Sequence, residues 1–162
     1  MTRTPRTPRA HTAPPVPDLL SRTALAAFRL NGQFLAVSEQ LARPAGLTAA
    51  WWQVLGAVLR TPLPVSGIAR EMGITRQSVQ RIADLLVERG LAEYRPNPAH
   101  RRAKLVAATD EGLAAVRRIR PAHSDLARRL SEQLGGPERF AQVMTALETL
   151  SEAMDAMSTD RV

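Results

Sequence analysis

The sequence predicts a mainly α-helical domain carrying one small β-hairpin, and three observations predict it. Apolar residues recur at three- and four-residue spacing over most of the chain, and two short helical stretches at 65–90 meet at a glycine. The stretch at 92–109 instead alternates polar and apolar side chains in part. The chain has 162 residues, 44% of them hydrophobic, which is enough for one compact domain with its own core.

Residues 1–17 carry Arg3, Arg6 and Arg9 in a TRTPRTPRA near-repeat followed by a proline-rich stretch, so a disordered basic tail is expected there. The ordered part then runs over 18–162 as one domain. Asp18 is placed to cap a helix over 19–42 with apolar or small residues at Leu20, Ala24, Ala27, Phe28, Phe34, Leu35 and Leu41, ending near Pro44 and Gly46. Thr48 caps a second helix with Trp51, Val54, Leu55 and Val58 on one stripe, and the TPLP at 61–64 ends it.

Residues 65–90, VSGIAREMGITRQSVQRIADLLVERG, fit two short helices crossing through a tight turn. Ser66 and Thr75 are the expected caps. Ala69 supplies the small residue that a close helix crossing needs, and Gly73 supplies the positive φ of the turn. Ile68, Met72, Ile74, Val79 and Ile82 stand at the offsets from Ala69 where a shared core is expected. Gly90 closes the second helix in a left-handed conformation, with Leu91 folding back.

AEYRPNP and RAKLVAAT, separated by Ala99, His100 and Arg101, form the expected hairpin. The helix-turn-helix with this wing occupies about 48–108. Thr109, followed by Asp110 and Glu111, starts a long helix towards Gln133 that Pro121 is expected to kink or briefly break, and Gly135, Gly136 and Pro137 punctuate it. The last helix places Phe140, Val143, Met144, Leu147, Leu150, Met154 and Met157 on one coiled-coil-like stripe. A domain this small cannot cover that stripe and the one on the first helix, so the helices at 18–42 and 109–157 are expected to form a homodimer region.

The net charge of +7 favours a polyanionic partner. With no cysteine, the chain has no disulfide, thiolate ligand, cysteine nucleophile or thiol sensor. His11, His100 and His123 never share ligand spacing on one element, so no metal or other cofactor is expected. No nucleophile elbow, phosphate loop or dinucleotide fingerprint is present, and an enzyme is not expected. No run is apolar enough to span a membrane or to serve as a secretory signal, which makes the cytoplasm the expected location.

The run GITRQSVQRIADLLVERGL and the segment RRAKLVAATDEG, set between a long first helix and two closing helices, resemble the multiple antibiotic resistance regulator (MarR) family from about residue 18 onward. Ala108-Thr109 replaces that family's Leu-Thr. The resemblance implies a winged helix-turn-helix regulator working as a triangular homodimer, with one winged domain per half-site. It also implies an aspartate in the wing loop to hold the tip arginine, and His100 stands at that position.

Double-stranded DNA is the expected partner. The N-terminal, outward face of the second helix of such a motif enters the major groove, which selects Thr75, Arg76, Gln77, Ser78, Gln80 and Arg81. Gln77 and Gln80 have the amide geometry to read adenine edges, while Arg76 and Arg81 can read guanine or hold phosphates. Arg101, Arg102 and Lys104 cluster on the wing, with Arg102 as the minor-groove tip. By resemblance, a small aromatic or phenolic anion binds between the dimer helices and the winged domain and releases DNA, with Trp51, Trp52, Arg22 and Arg29 as candidates. A DNA-binding regulator or architectural protein without a ligand, and a dimer that has lost DNA binding, are the competing readings.

Overall fold

A computed structural model describes residues 14–159, so the arginines of the expected tail lie outside the described residues. The first helix, α1 (Val16–Ala42), opens earlier than expected, with Pro15 at its N-cap and Asp18 in its first turn. Proline at N1 or N2 explains the shift: its fixed φ is already helical and its missing N–H would have had no partner there. After a 3₁₀ turn (Arg43–Ala45) comes α2 (Ala49–Ala57), capped by the Thr48 hydroxyl, which accepts the Trp51 N–H at 3.2 Å. Glu39 of α1 also caps α2, its Oε2 accepting the Ala49 N–H at 2.8 Å.

A two-residue strand, β1 (Leu63–Pro64), follows and leads straight into α3 (Val65–Met72) and α4 (Arg76–Glu88). Ser66 is therefore not the cap of α3; Pro64 is, because the chain enters the helix directly from that strand. The wing strands are β2 (Ala92–Arg95) and β3 (Leu105–Ala108), shorter than the two expected runs. Pro96 and Pro98 cannot donate to a ladder, so residues 96–104 form a loop. The sheet is antiparallel in the order β1-β3-β2, with Leu63 opposite Val106 and Tyr94 opposite Val106 on the other side. Pro64 is tolerated because β1 is an edge.

α5 (Asp110–Leu134) runs through Pro121 without interruption, and α6 (Pro137–Thr159) closes the chain. Val54, Leu55, Ile68, Val79, Leu86, Val106 and Ile119 are fully buried, joining α2, α3, α4, β3 and α5 in one core. Ala69, Ala83 and Ala115 are the small buried residues that let these helices approach. Ile74 departs from expectation at 38% exposed, because its N–H returns to the Ala69 carbonyl at 3.1 Å and seats it over the surface end of α3. Gly73 and Gly90 adopt the left-handed conformation as expected, at φ 64° and 71°. The apolar residues of α1 and α6 are left open, from Phe28 at 74% exposed to Met157 at 60%. Among the described residues no helix is long and apolar enough to cross a membrane.

Candidate nucleic-acid interface

The surface starts from how α4 begins. Thr75 caps it: its Oγ1 accepts the Ser78 N–H at 3.1 Å and shares a 2.8 Å hydrogen bond with the Ser78 hydroxyl. Both hydroxyls thus shape the helix start. Val79 and Ala83 are buried against the core, which turns Arg76, Gln77, Gln80 and Arg81 outward, all of them exposed. Arg76, Gln77 and Arg81 make no hydrogen bond or ion pair within the described residues, so their donors remain available. The acidic residues of the helix, Asp84 and Glu88, fall in its later turns, and the N-terminal turns carry only neutral and cationic side chains.

Gln80 is engaged. Its Nε2 donates to Asp84 Oδ1 at 2.9 Å and to the Tyr94 hydroxyl at 2.7 Å, and that hydroxyl donates to Asp84 Oδ1 at 2.6 Å. The three side chains tie α4 to strand β2. Burial and the hydrogen bond and charge of Asp84 push the Tyr94 hydroxyl up to about 12, so it holds its proton at neutral pH. The sequence points to Tyr94 only as a strand or phosphate-flank residue and does not single out Asp84; the four-residue step from Gln80 to Asp84 is a readable signal, whereas Tyr94 lies on another element.

The wing supplies the second part. Its loop turns at His100, whose carbonyl accepts the Ala103 N–H at 3.0 Å, and Arg101, Arg102 and Lys104 project exposed from it. No carboxylate is paired with Arg102 among the described residues. Lys104 places its ammonium 5.6 Å from the centre of the Tyr94 ring, while Arg95 is held by Glu93 at 2.6 Å. Arg76, Gln77 and Gln80 from α4 and Arg102 and Lys104 from the wing line one groove, with Tyr94 and Asp84 between them.

The ligand candidates separate. A cavity of about 360 Å³ between α2 and α5 is lined by Trp52, Leu59, Leu113, Val116, Arg117, Ile119, Arg120 and His123. Trp52 meets His123 edge-on at 5.8 Å. Trp51 instead lies under the Arg89 guanidinium, 5.1 Å from its ring centre, and neither Trp51, Arg22 nor Arg29 lines this cavity. Among the described residues no group of three or more His, Cys, Asp or Glu is placed to hold a metal ion.

A helix-turn-helix with an open reading face, set beside a cationic β-wing on one groove, defines a winged helix-turn-helix DNA-binding protein. The sequence pattern of the MarR family matches residues 45–103. An uncharacterized protein of Mycobacterium tuberculosis is 34% identical over 144 residues, spanning 89% of this chain and 98% of its own length. The crystal structure of a mutant MarR from E. coli complexed with operator DNA superimposes with a TM-score of 0.71 at 20% identity, covering 85% of this chain and 99% of that one. CouR from Rhodococcus jostii bound to p-coumaroyl-CoA matches with a TM-score of 0.61 at 26% identity, covering 83% and 90%. The chain belongs to the MarR family of DNA-binding transcription regulators.

Proposed function

We propose that the chain acts as a homodimeric repressor of an inverted-repeat operator, released by a small aromatic or phenolic anion. The observation that carries the operator reading is the shared groove: free Arg76 and Gln77 beside Arg102 and Lys104 offer base-edge readers and phosphate-binding cations together, with Arg81 and Arg101 exposed on the same two elements. Thr75 and Ser78 contribute by fixing the start of α4. The open apolar faces of α1 and α6 support the homodimer, since a partner subunit is the economical cover for them. A two-fold axis would set two α4 helices about one turn of B-DNA apart. A DNA target agrees with the cytoplasmic location expected from the sequence.

The cavity between α2 and α5 supports the ligand reading. Trp52 offers a ring face and apolar wall, and Arg117 and Arg120 offer the cations that a carboxylate or phenolate needs. Of the sequence candidates Trp52 stays at the centre of the reading, while Arg22, Arg29 and Trp51 are assigned no contact in this cavity. Beside it, Arg118 of α5 donates to the Ala45 carbonyl at 3.3 Å, tying α5 to the turn that precedes α2. CouR, of the same fold, is bound to p-coumaroyl-CoA, whose acyl group carries a phenol ring, and this supports an aromatic ligand.

Selection from random-sequence DNA tests the first part, and an inverted repeat with half-sites about one helical turn apart is expected. Salicylate-like and phenolic acids should quench tryptophan fluorescence and weaken operator binding roughly 5–150-fold, the range of ordinary allosteric coupling. If no compound changes either signal at millimolar concentration, the chain is a regulator without a ligand.

A further inference from the structure

We propose that Gln80 reads DNA with its carbonyl oxygen alone, and that Tyr94 and Asp84 are the residues that restrict it to this one-handed state. The inference rests on the assignment of α4 to the major groove. A glutamine amide has two N–H donors and one carbonyl acceptor, and it reads adenine fully by giving a proton to N7 while accepting one from the N6 amino group. In this structure the Gln80 amide nitrogen already serves two acceptors, Asp84 Oδ1 at 2.9 Å and the Tyr94 hydroxyl at 2.7 Å, which turn its donor end towards them.

The orientation is set by chemistry. Turning the amide over would set its carbonyl oxygen against the Asp84 carboxylate, two acceptors with no proton between them. Tyr94 cannot relieve that conflict, because its own proton is given to the same Asp84 oxygen at 2.6 Å. The ring of three hydrogen bonds closes in one direction only, and the Gln80 oxygen is left as the single group free to face the groove.

An acceptor without a donor selects bases that present an amino group in the major groove, adenine or cytosine, and disfavours guanine O6 and thymine O4. Gln77, one turn earlier and with its amide uncommitted among the described residues, keeps both functions. The two glutamines therefore read differently although their side chains are identical. Tyr94 and Asp84 are positioning residues that touch no base themselves.

The test uses the full chain and base analogues. Parallel selections with the wild type and Gln80→Ala locate the base pair that Gln80 reads, as the position where the variant alone loses preference. Either pair presents one amino group in the major groove, adenine N6 or cytosine N4, and base analogues test whether Gln80 uses it. Where the base is adenine, 7-deazaadenine, which lacks N7, should leave wild-type affinity within about twofold, while purine, which lacks the amino group, should cost roughly tenfold. Where it is cytosine, the amino-free analogue 2-pyrimidinone should cost the same. Tyr94→Phe frees one amide proton, so this variant should relax the preference at that position while its salt dependence stays unchanged.

Equal loss on the two adenine analogues overturns the proposal, as does undiminished affinity for 2-pyrimidinone where the pair is G·C. A specific operator whose selection is unchanged in Gln80→Ala overturns it too, and leaves the assignment of α4 intact. If the wild type selects no sequence at all, that assignment falls, and the proposal with it.

Discussion

Gln77 and Arg102 face one groove from different elements, and their chemistry predicts different failures. Gln77→Ala removes a bidentate partner for a base edge and should cost about 1–3 kcal/mol on the selected operator, with little effect on unrelated DNA. Arg102→Ala removes a cation that nothing in the wing anchors; it should weaken binding across sequences and make the salt slope shallower. Operator titrations at several salt concentrations separate the two, and equal, sequence-independent losses would remove Gln77 as a reader. Tyr94 offers a second measurement because it is the single tyrosine of the chain. Its absorbance titration should have a midpoint near 12 instead of 10.0, raised first by burial and then by Asp84. A raised folded-state value means that the neutral phenol stabilises the fold fully below pH 10 and that this contribution is lost as pH climbs towards 12. Asp84→Asn should bring the midpoint back towards the ordinary value; an unshifted wild-type midpoint would argue that the Gln80–Tyr94–Asp84 ring does not form. The step from Gln80 to Asp84 is visible in the sequence as a helix neighbour pair, but the third member sits 14 residues from Gln80, beyond a turn and on a strand.

Helix ends decide where the elements stop. At the end of α4 the Leu91 N–H reaches the Leu86 carbonyl at 2.8 Å and the Gly90 N–H reaches Val87 at 3.0 Å, a closure that only a left-handed residue completes at low cost. The chain then turns directly into β2. The start of α5 is locked to this corner: Thr109 Oγ1 donates to the Gly90 carbonyl at 2.7 Å and accepts the Gly112 N–H at 3.1 Å. That explains the glycine in the first turn of α5, since a Cβ on Gly112 would collide with the Leu91 carbonyl. Gly112→Ala should therefore destabilise by about 3 kcal/mol, at the upper end of ordinary overpacking. Gly56→Ala, in α2 with nothing near its missing Cβ, should stabilise by about 0.5–1 kcal/mol. Thermal unfolding of the two variants should move in opposite directions, and a stable Gly112→Ala protein would show that this corner can open. These ends were readable because caps and glycines act within a few residues. Ser66 was misread as a cap because the alternative, a strand entering α3 directly, depends on β3, some 40 residues away.

Across the whole molecule, the core under the wing is closed and the terminal helices are not. Val143, Met144, Leu147, Leu150, Met154 and Met157 line an open face of α6, matched on α1 by Leu20, Leu25, Phe28 and Phe34. In the proposed homodimer, burying such faces between two chains would supply most of the stability. Removing residues 137–162 should give aggregation or an unfolded monomer, and Leu147→Glu should weaken self-association in sedimentation while leaving helix content intact. A soluble, well-folded monomer after the deletion would mean that this stripe needs no partner. Glu39 and Arg118 join the terminal helices to the winged body through the start of α2, which is where a change in dimer geometry would be passed to α4.

By itself the sequence determined the six helices, their order, the helix-turn-helix and the cationic wing, because periodicity, caps and turn glycines act over one or two helical turns. Only the tertiary structure decided which of two similar glutamines is free, that Leu63 and Pro64 complete the sheet, and that Trp52 faces a cavity with Arg117 and Arg120 while Trp51 lies under Arg89. Each of these depends on groups brought together from separate elements. The reason is geometric: residues far apart in the chain acquire defined distances only when the elements pack, and a hydrogen bond or a cavity wall is set by tenths of an ångström that no local pattern encodes.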